Sequence, residues 1–337
     1  MSLDTLTSIY LPAIENELKT ALERAAGPQY DHLYAMMAYH MGWEGEGAGP
    51  KVRGKRIRPV LLLLTTDAAG GDWHRALPAA AAVELIHNFS LLHDDIEDNS
   101  PLRRGRPTAW TQWGVPQAIN TGDSMFSLAH LAILDLERST SLETAFRANQ
   151  ILENTCLHLT QGQFLDISYQ ERRDLSLKDY WPMVTGKTAA LLAACTELGA
   201  LVAGVEAETR AHYRQFGLNL GLAFQVLDDY LGIWGDSRVL GKSIASDLVE
   251  GKKSLPVLYG LEKNGPFAQR WAQGPISIQE VPQVASQLES EGARAYTQES
   301  ADRLTAAALE ALAQAAPQGE AGQALTQLTH QLLQRQV

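Results

Sequence analysis

Apolar residues recur along almost the whole chain at intervals of three and four, the spacing that lines one face of an α-helix. Ile9, Leu11, Ile14, Leu18 and Leu22 mark an amphipathic helix over about 8–26, and a second follows over 31–41. Five glycines and Pro50 break the pattern between Gly42 and Gly54, which predicts a loop. Helical spacing resumes at Pro59, runs through an alanine-rich stretch from Ala76 to the acidic residues near 98, and returns over 116–136 and 141–170. No stretch alternates convincingly at the period of a strand. The expected fold is therefore all-α, with helices joined by short loops in a single domain over 1–337. The Ala-, Gln- and Glu-rich residues 275–337 are expected to form peripheral helices.

Composition narrows the function classes. A chain of 337 residues buries a substantial core, and a net charge of −11 weighs against nucleic-acid binding as the main task. Cys156 and Cys195, each in an apolar helical stretch, read as buried thiols and not as a disulfide or metal framework. The first residues lack a basic start and a long apolar segment, and no run reaches the roughly 18 unbroken apolar residues of a membrane span. The expectation is a cytoplasmic protein without stable membrane insertion.

The candidate chemistry centres on LLHDDIEDNSPLRRGRPT, residues 91–108. In a helix Asp94 and Asp98 share a face, with Asp95 beside them. Three carboxylates this close raise one another's pKa, so the arrangement makes sense with a cation, and oxygen-only ligands point to magnesium. Pro101 ends the helix, and Arg103, Arg104 and Arg106 follow, able to grip phosphate bidentately. An acidic metal cluster beside arginines implies a diphosphate substrate. The alternative, a solvated self-paired loop, fits poorly with the apolar run VELIHNFSLLH just before it.

Other residues extend this picture. Lys55, Arg56 and Arg58 sit at the start of the helix from Pro59, where they would either hold a phosphate or form a solvated basic turn. His87 lies seven residues before Asp94, two turns back on nearly the same face, so it can look into the same cavity. Gln163 and Asp166 are three apart and can face one way. Lys187 and Thr188 open a very apolar run, where the lysine would either snorkel from the core or reach a phosphate past Gly186. Asp228 and Asp229 repeat the aspartate pair at another helix end, followed by Lys242, Lys252 and Lys253. Two such acidic ends fit two walls of one cavity holding metals.

Five signatures then occur in one order: GKRIRP, DDIEDNSPLRRGRPT, GQFLD, GKT and FQVLDD with its trailing lysines. Over nearly its whole length the chain resembles a trans-isoprenyl diphosphate synthase of the polyprenyl synthetase family. The resemblance implies an isoprenoid synthase-type helical bundle around a deep central cavity, usually as a homodimer. It implies head-to-tail condensation of isopentenyl diphosphate with an allylic diphosphate, assisted by three magnesium ions. Asp94, Asp95 and Asp98 would hold two of these ions, and Asp228 with Asp229 the third. Arg103, Lys187 and Lys242 would grip the allylic diphosphate, with Gln163, Asp166, Thr188 and Gln225 lining the pocket and Lys252 as a further contact. Lys55, Arg58, His87 and Arg104 would bind isopentenyl diphosphate.

One position departs from the family pattern: the third aspartate of the second motif is Gly232, which puts metal affinity and rate in question, and Asp236 lies too far along to replace it. By analogy with the family, Phe89 and Ser90, five and four residues before Asp94, point into the elongation tunnel. A bulky Phe89 with a small Ser90 favours geranylgeranyl diphosphate as product, with farnesyl diphosphate second; otherwise Phe89 only packs between helices. A terpene cyclase would leave Lys55, Arg58, His87 and Arg104 idle. A noncatalytic partner subunit fits poorly with the intact DDIED.

Overall fold

The computed structural model describes residues 1–235 and 246–333. Its helices are α1 (Leu3–Glu23), α2 (Asp31–His40), α3 (Pro50–Arg53), α4 (Ile57–Ala68), α5 (Leu77–Glu97), α6 (Ala109–Trp113), α7 (Val115–Leu134), α8 (Leu136–Ser139), α9 (Leu142–Glu171), α10 (Leu177–Val184), α11 (Ala190–Ala203) and α12 (Ala207–Trp234). Six further helices follow between Ser246 and Leu333. The protein is all-α, as the periodicity predicts. Among the described residues the one departure is a short antiparallel ladder of two strands, β1 (Leu102–Arg103) on β2 (Arg106–Pro107). Arg104 and Gly105 both have positive φ (52° and 76°), the requirement of a tight primed hairpin turn. Four residues are too few to show an alternating pattern, so the ladder is invisible to periodicity.

The described residues form two compact units. The first comprises 1–154, 194–210 and 316–325. Here α1 buries Leu6, Tyr10, Ile14, Leu18 and Leu22 along one stripe, and the Tyr10 hydroxyl donates to Asp67 at 2.7 Å. Helix α4 is buried over nearly its whole length. Thr65 and Thr66 enter that core because their hydroxyls donate to the carbonyls of Leu61 and Leu62 one turn back. Ala79–Ala82 make a small-residue surface on α5, which packs along α7.

The second unit comprises 155–193, 211–315 and the residues from 326 on. Its core gathers Ile233, Leu248, Val257, Phe267, Val284, Leu288 and Ala293. The segment Leu177–Ala203 is long and apolar enough to cross a membrane by composition, but 78% of its apolar window is buried within the chain, as in a core helix.

Candidate active site

In the first unit the site is built on the C-terminal end of α5. Asn99 takes the left-handed conformation (φ 51°), and the Asn99 and Ser100 amides donate to the carbonyls of Ile96 and Asp95 at 3.1 and 2.9 Å. This is a Schellman closure with asparagine in the glycine-favoured position. It stops the helix with Asp94 and Asp98 on one face and turns the chain into the arginine hairpin. Asp95, about 100° further round, is buried and accepts from Arg103 Nε at 2.8 Å. Its second oxygen, Oδ2, is buried without a hydrogen-bond partner. Burial raises the Asp95 pKa against the pull of Arg103.

The loop is pinned from behind. The hydroxyl of Thr108 and the indole N–H of Trp110 both donate to the Ser100 carbonyl at 2.9 Å. Arg104 donates to the carbonyl of Val52 at 2.8 Å, its guanidinium 2.8 Å from where a Cβ on Gly54 would lie, and Gly54 has the left-handed φ of 77° that favours glycine. Arg106 is buried, donates to the Tyr39 and Glu44 carbonyls, and stacks 3.9 Å over the Tyr39 ring. Tyr39, His40, Val52, Asp95, Arg103 and Arg104 line a small cavity.

The basic motif before α4 divides by task. Arg56 is buried and paired to Glu15 and Glu84, each at 2.8 Å, which makes it part of the core. Arg58 reaches His87 Nε2 at 3.2 Å, and Lys55 stays exposed. Burial, then the charges of Arg58, Arg104 and Arg103, holds the His87 pKa well below its usual range. His40 is pushed down to about 3 by burial and by Arg103, Arg104 and Arg56, and its Nε2 has no partner. The positive field of these guanidiniums, only partly offset by Asp95, Glu15 and Glu84, disfavours a charged imidazole at both positions and would favour an anion beside them. His40 carries no motif, so sequence reasoning missed it.

The chain-length candidates also lie in this unit. Phe89 meets the ring of Phe126 on α7 edge-on at 5.1 Å and that of His93 at 4.9 Å. Phe126 in turn packs against His130 at 4.4 Å. Ser90 donates to the His87 carbonyl. Phe126 was not legible because it sits on another helix.

In the second unit Lys187 and Thr188 lie on a π-helical turn, Thr185–Ala189, of the kind often found at functional sites. The turn touches α9 backbone to backbone: a Cβ on Gly162 would lie 2.1 Å from the Lys187 nitrogen. Lys187 pairs with Asp166, and Gln163 is half-buried one turn before it. Thr188 donates to Gln225 at 2.8 Å, and Gln225 donates to Asp229 at 2.9 Å. Asp229 also accepts from the Tyr180 hydroxyl at 2.7 Å and the Leu255 amide at 3.0 Å. Asp229 is thus buried and engaged by three protein donors, whereas Asp228 is exposed. Lys252 pairs with Glu250 at 2.8 Å and Asp247 at 3.4 Å. Lys242 lies outside the described residues.

Among the described residues no three carboxylates, thiols or imidazoles converge into a protein-only metal cage. Magnesium takes one or two carboxylates and completes its octahedron with water and substrate phosphates. The oxygen-only donors, the shared face of Asp94 and Asp98 and the orphaned Asp95 Oδ2 fit such an ion.

A family model described as polyprenyl synthetase matches residues 49–287. The chain belongs to the polyprenyl synthetase family. It is a trans-prenyltransferase with the isoprenoid synthase helical fold. It is similar to a (2E,6E)-farnesyl diphosphate synthase of Mycobacterium tuberculosis, 37% identical over 99% of this chain and 95% of that protein. It is also similar to a geranylgeranyl diphosphate synthase of the same organism, 39% identical over 91% and 93% of the two chains. Among solved structures, a polyprenyl synthase from Caulobacter crescentus complexed with calcium and isoprenyl diphosphate superposes with a TM-score of 0.83, at 30% identity over 100% and 98% of the chains. The family pattern extends across both units, and its relatives carry both short product names.

Proposed function

We propose that the chain condenses isopentenyl diphosphate head to tail with allylic diphosphates and releases geranylgeranyl diphosphate. The observation that carries the substrate class is the basic cluster of the first unit, where Arg103 and Arg104 line a cavity with His40 and Arg58 reaches His87. Asp94 and Asp98, with the free Oδ2 of Asp95 beside them, would hold two magnesium ions while Asp95 Oδ1 fixes Arg103, and Asp228 would hold a third while Asp229 orients Gln225 and, through it, Thr188. Calcium and isoprenyl diphosphate bound to the Caulobacter relative support a divalent cation with this ligand. Arg103, Lys187 and Lys242 grip the allylic diphosphate; Gln163, Asp166, Thr188, Gln225 and Lys252 line its pocket. Lys55, Arg58, His87 and Arg104 take the diphosphate of isopentenyl diphosphate.

The side chains divide the chemistry. Magnesium, when bound, supplies the positive charge that makes diphosphate a leaving group. Arg103 is held at Nε by Asp95, which leaves its terminal N–H groups for phosphate oxygens. Lys187, parked on Asp166, exchanges that carboxylate for the developing charge of the departing group. His87, neutral, donates a hydrogen bond without adding charge. The final proton goes to the released diphosphate, so no side chain of this set acts as base.

Product length follows from Phe89, set five residues before Asp94 as a wall, with Ser90 leaving room beside it. Farnesyl diphosphate is the second reading, favoured by Phe126 standing behind Phe89. Incubating the purified chain with isopentenyl diphosphate, magnesium and in turn dimethylallyl, geranyl and farnesyl diphosphates, with products identified by mass spectrometry, tests this. A ladder ending at geranylgeranyl diphosphate is expected. A different end point discards the Phe89 wall, and no elongation with any starter discards the transfer itself.

The active form is a homodimer in the cytoplasm. Leu131 and Leu134 on α7 and Leu142 and Phe146 on α9 are 46–73% exposed, at spacings that keep each pair on one helix face. Both cysteines are free thiols, as a reducing compartment keeps them.

A further inference from the structure

Gly232 stands where the second acidic motif of the family carries its third aspartate, and another carboxylate already fills that space. A Cβ built on Gly232 would lie 2.3 Å from Oδ2 of Asp247 and 2.8 Å from its Cγ. Asp247 is 8% exposed and belongs to the short helix Ser246–Val249, so this side chain is not free to swing into solvent. The charge of Asp228 reaches Asp247, and that of Asp247 reaches Asp229. Lys252 Nζ lies 3.4 Å from Asp247 Oδ1.

We infer that Asp247 is the third carboxylate of the second motif, delivered from fifteen residues downstream (247 − 232) into the space that Gly232 leaves open. The glycine is then a fitting and not a loss: a side chain at 232 would expel the group that replaces it. This rests on the reading of Asp228 as a magnesium ligand. Magnesium keeps much of its water, so Asp247 acts either by direct ligation or by accepting from a bound water, and both make it a determinant of metal affinity. Holding Lys252 is a second consequence of the same placement.

The test uses the full chain and isothermal titration with magnesium and inorganic pyrophosphate, with circular dichroism melts to verify folding. Asp247→Asn keeps the shape and removes the charge. It is expected to weaken magnesium-dependent pyrophosphate binding about 10–100-fold, the usual cost of losing a supporting group at a metal site. Gly232→Asp also weakens it, because two carboxylates compete for one space. The exchange Gly232→Asp with Asp247→Gly recovers most of the binding. Asp247→Asn binding like the parent, or an exchange variant binding no better than Asp247→Asn, overturns the inference. Asp228→Asn separates the levels: if it too binds like the parent, the Asp228 reading falls, and if only it weakens binding, Asp247 alone is wrong. Should Gly232→Asp fail to fold, the near-isosteric Asp247→Asn decides.

Discussion

Replacing Phe89 with alanine is the sharpest test of the product assignment. The ring sits edge-on to Phe126 and His93, and each such aromatic contact is worth about 0.5–1.5 kcal/mol beyond area. Phe89 is half-buried, so losing both pairs costs about 1–3 kcal/mol, a shift of several degrees in Tm. The fold survives. The space released is close to one isoprene unit, whose carbons are worth about 4 kcal/mol when buried, at ~0.8 kcal/mol per methylene. At about 1.4 kcal/mol per tenfold, that moves partition between stopping and extending by roughly a thousandfold. Mass spectrometry of the product ladder should therefore show an end point at least one unit longer, and Phe126→Ala should move it less, by opening space only behind Phe89. A folded Phe89→Ala protein with an unchanged ladder would refute the wall.

Asp94→Ala, at a helix end, should leave the melt within a few degrees and lower kcat by about two to three orders of magnitude, the scale of losing electrostatic stabilisation of a leaving group; retained activity removes the metal assignment. Gly162→Ala forces a methyl against the backbone of Lys187; it should cost at least about 1–3 kcal/mol by overpacking, read in urea unfolding, with a fall in activity. His40 has its pKa depressed to about 3 by burial and nearby arginines, so the unfolded chain binds the extra proton first. Its contribution is fully present above about pH 6.5 and declines by about 1.4 kcal/mol per pH unit as pH falls toward 3. His40→Phe should flatten that part of the urea midpoint against pH, and an unchanged slope counts against the buried neutral imidazole. Phe146→Glu should convert dimer to monomer in light scattering; an unaltered mass places the interface elsewhere.

Helices were legible because a 3.6-residue stripe repeats over many turns, as in α1, where Ile14, Leu18 and Leu22 became the buried face. Its first turns bury Leu6 and Tyr10 instead of Ile9, which is exposed, and Leu11, which is half-buried. Boundaries moved by a few residues: the first helix begins at Leu3, where Ser2 caps it, ahead of the first strong apolar signal. The acidic and basic motifs were legible as chemistry, since Asp94 and Asp98 lie one helical turn apart and the arginines follow a proline. What the sequence hides is partnership across distance. Nothing near Asp95 announces that it will be buried against Arg103 while its neighbours face out. Nothing in DDYLG announces Asp247, and Phe126, His40 and Tyr180 enter only because other helices carry them. Arg56 shows the converse: it reads like its neighbours Lys55 and Arg58 but belongs to the core.

The arginine hairpin has a consequence for how far this site can be moved. Its register sets Arg103 directly opposite Arg106, like charges facing across a ladder of two residue pairs, which on its own is unfavourable. The turn holds because Asp95, the Val52, Tyr39 and Glu44 carbonyls and the Tyr39 ring each take one guanidinium in hand. Cut out as a peptide or grafted onto another scaffold, LRRGRP would spring open. The hairpin is therefore not a portable cassette: its shape is a property of α2, the loop before α4 and the end of α5 together, and an engineer must transplant all three or none.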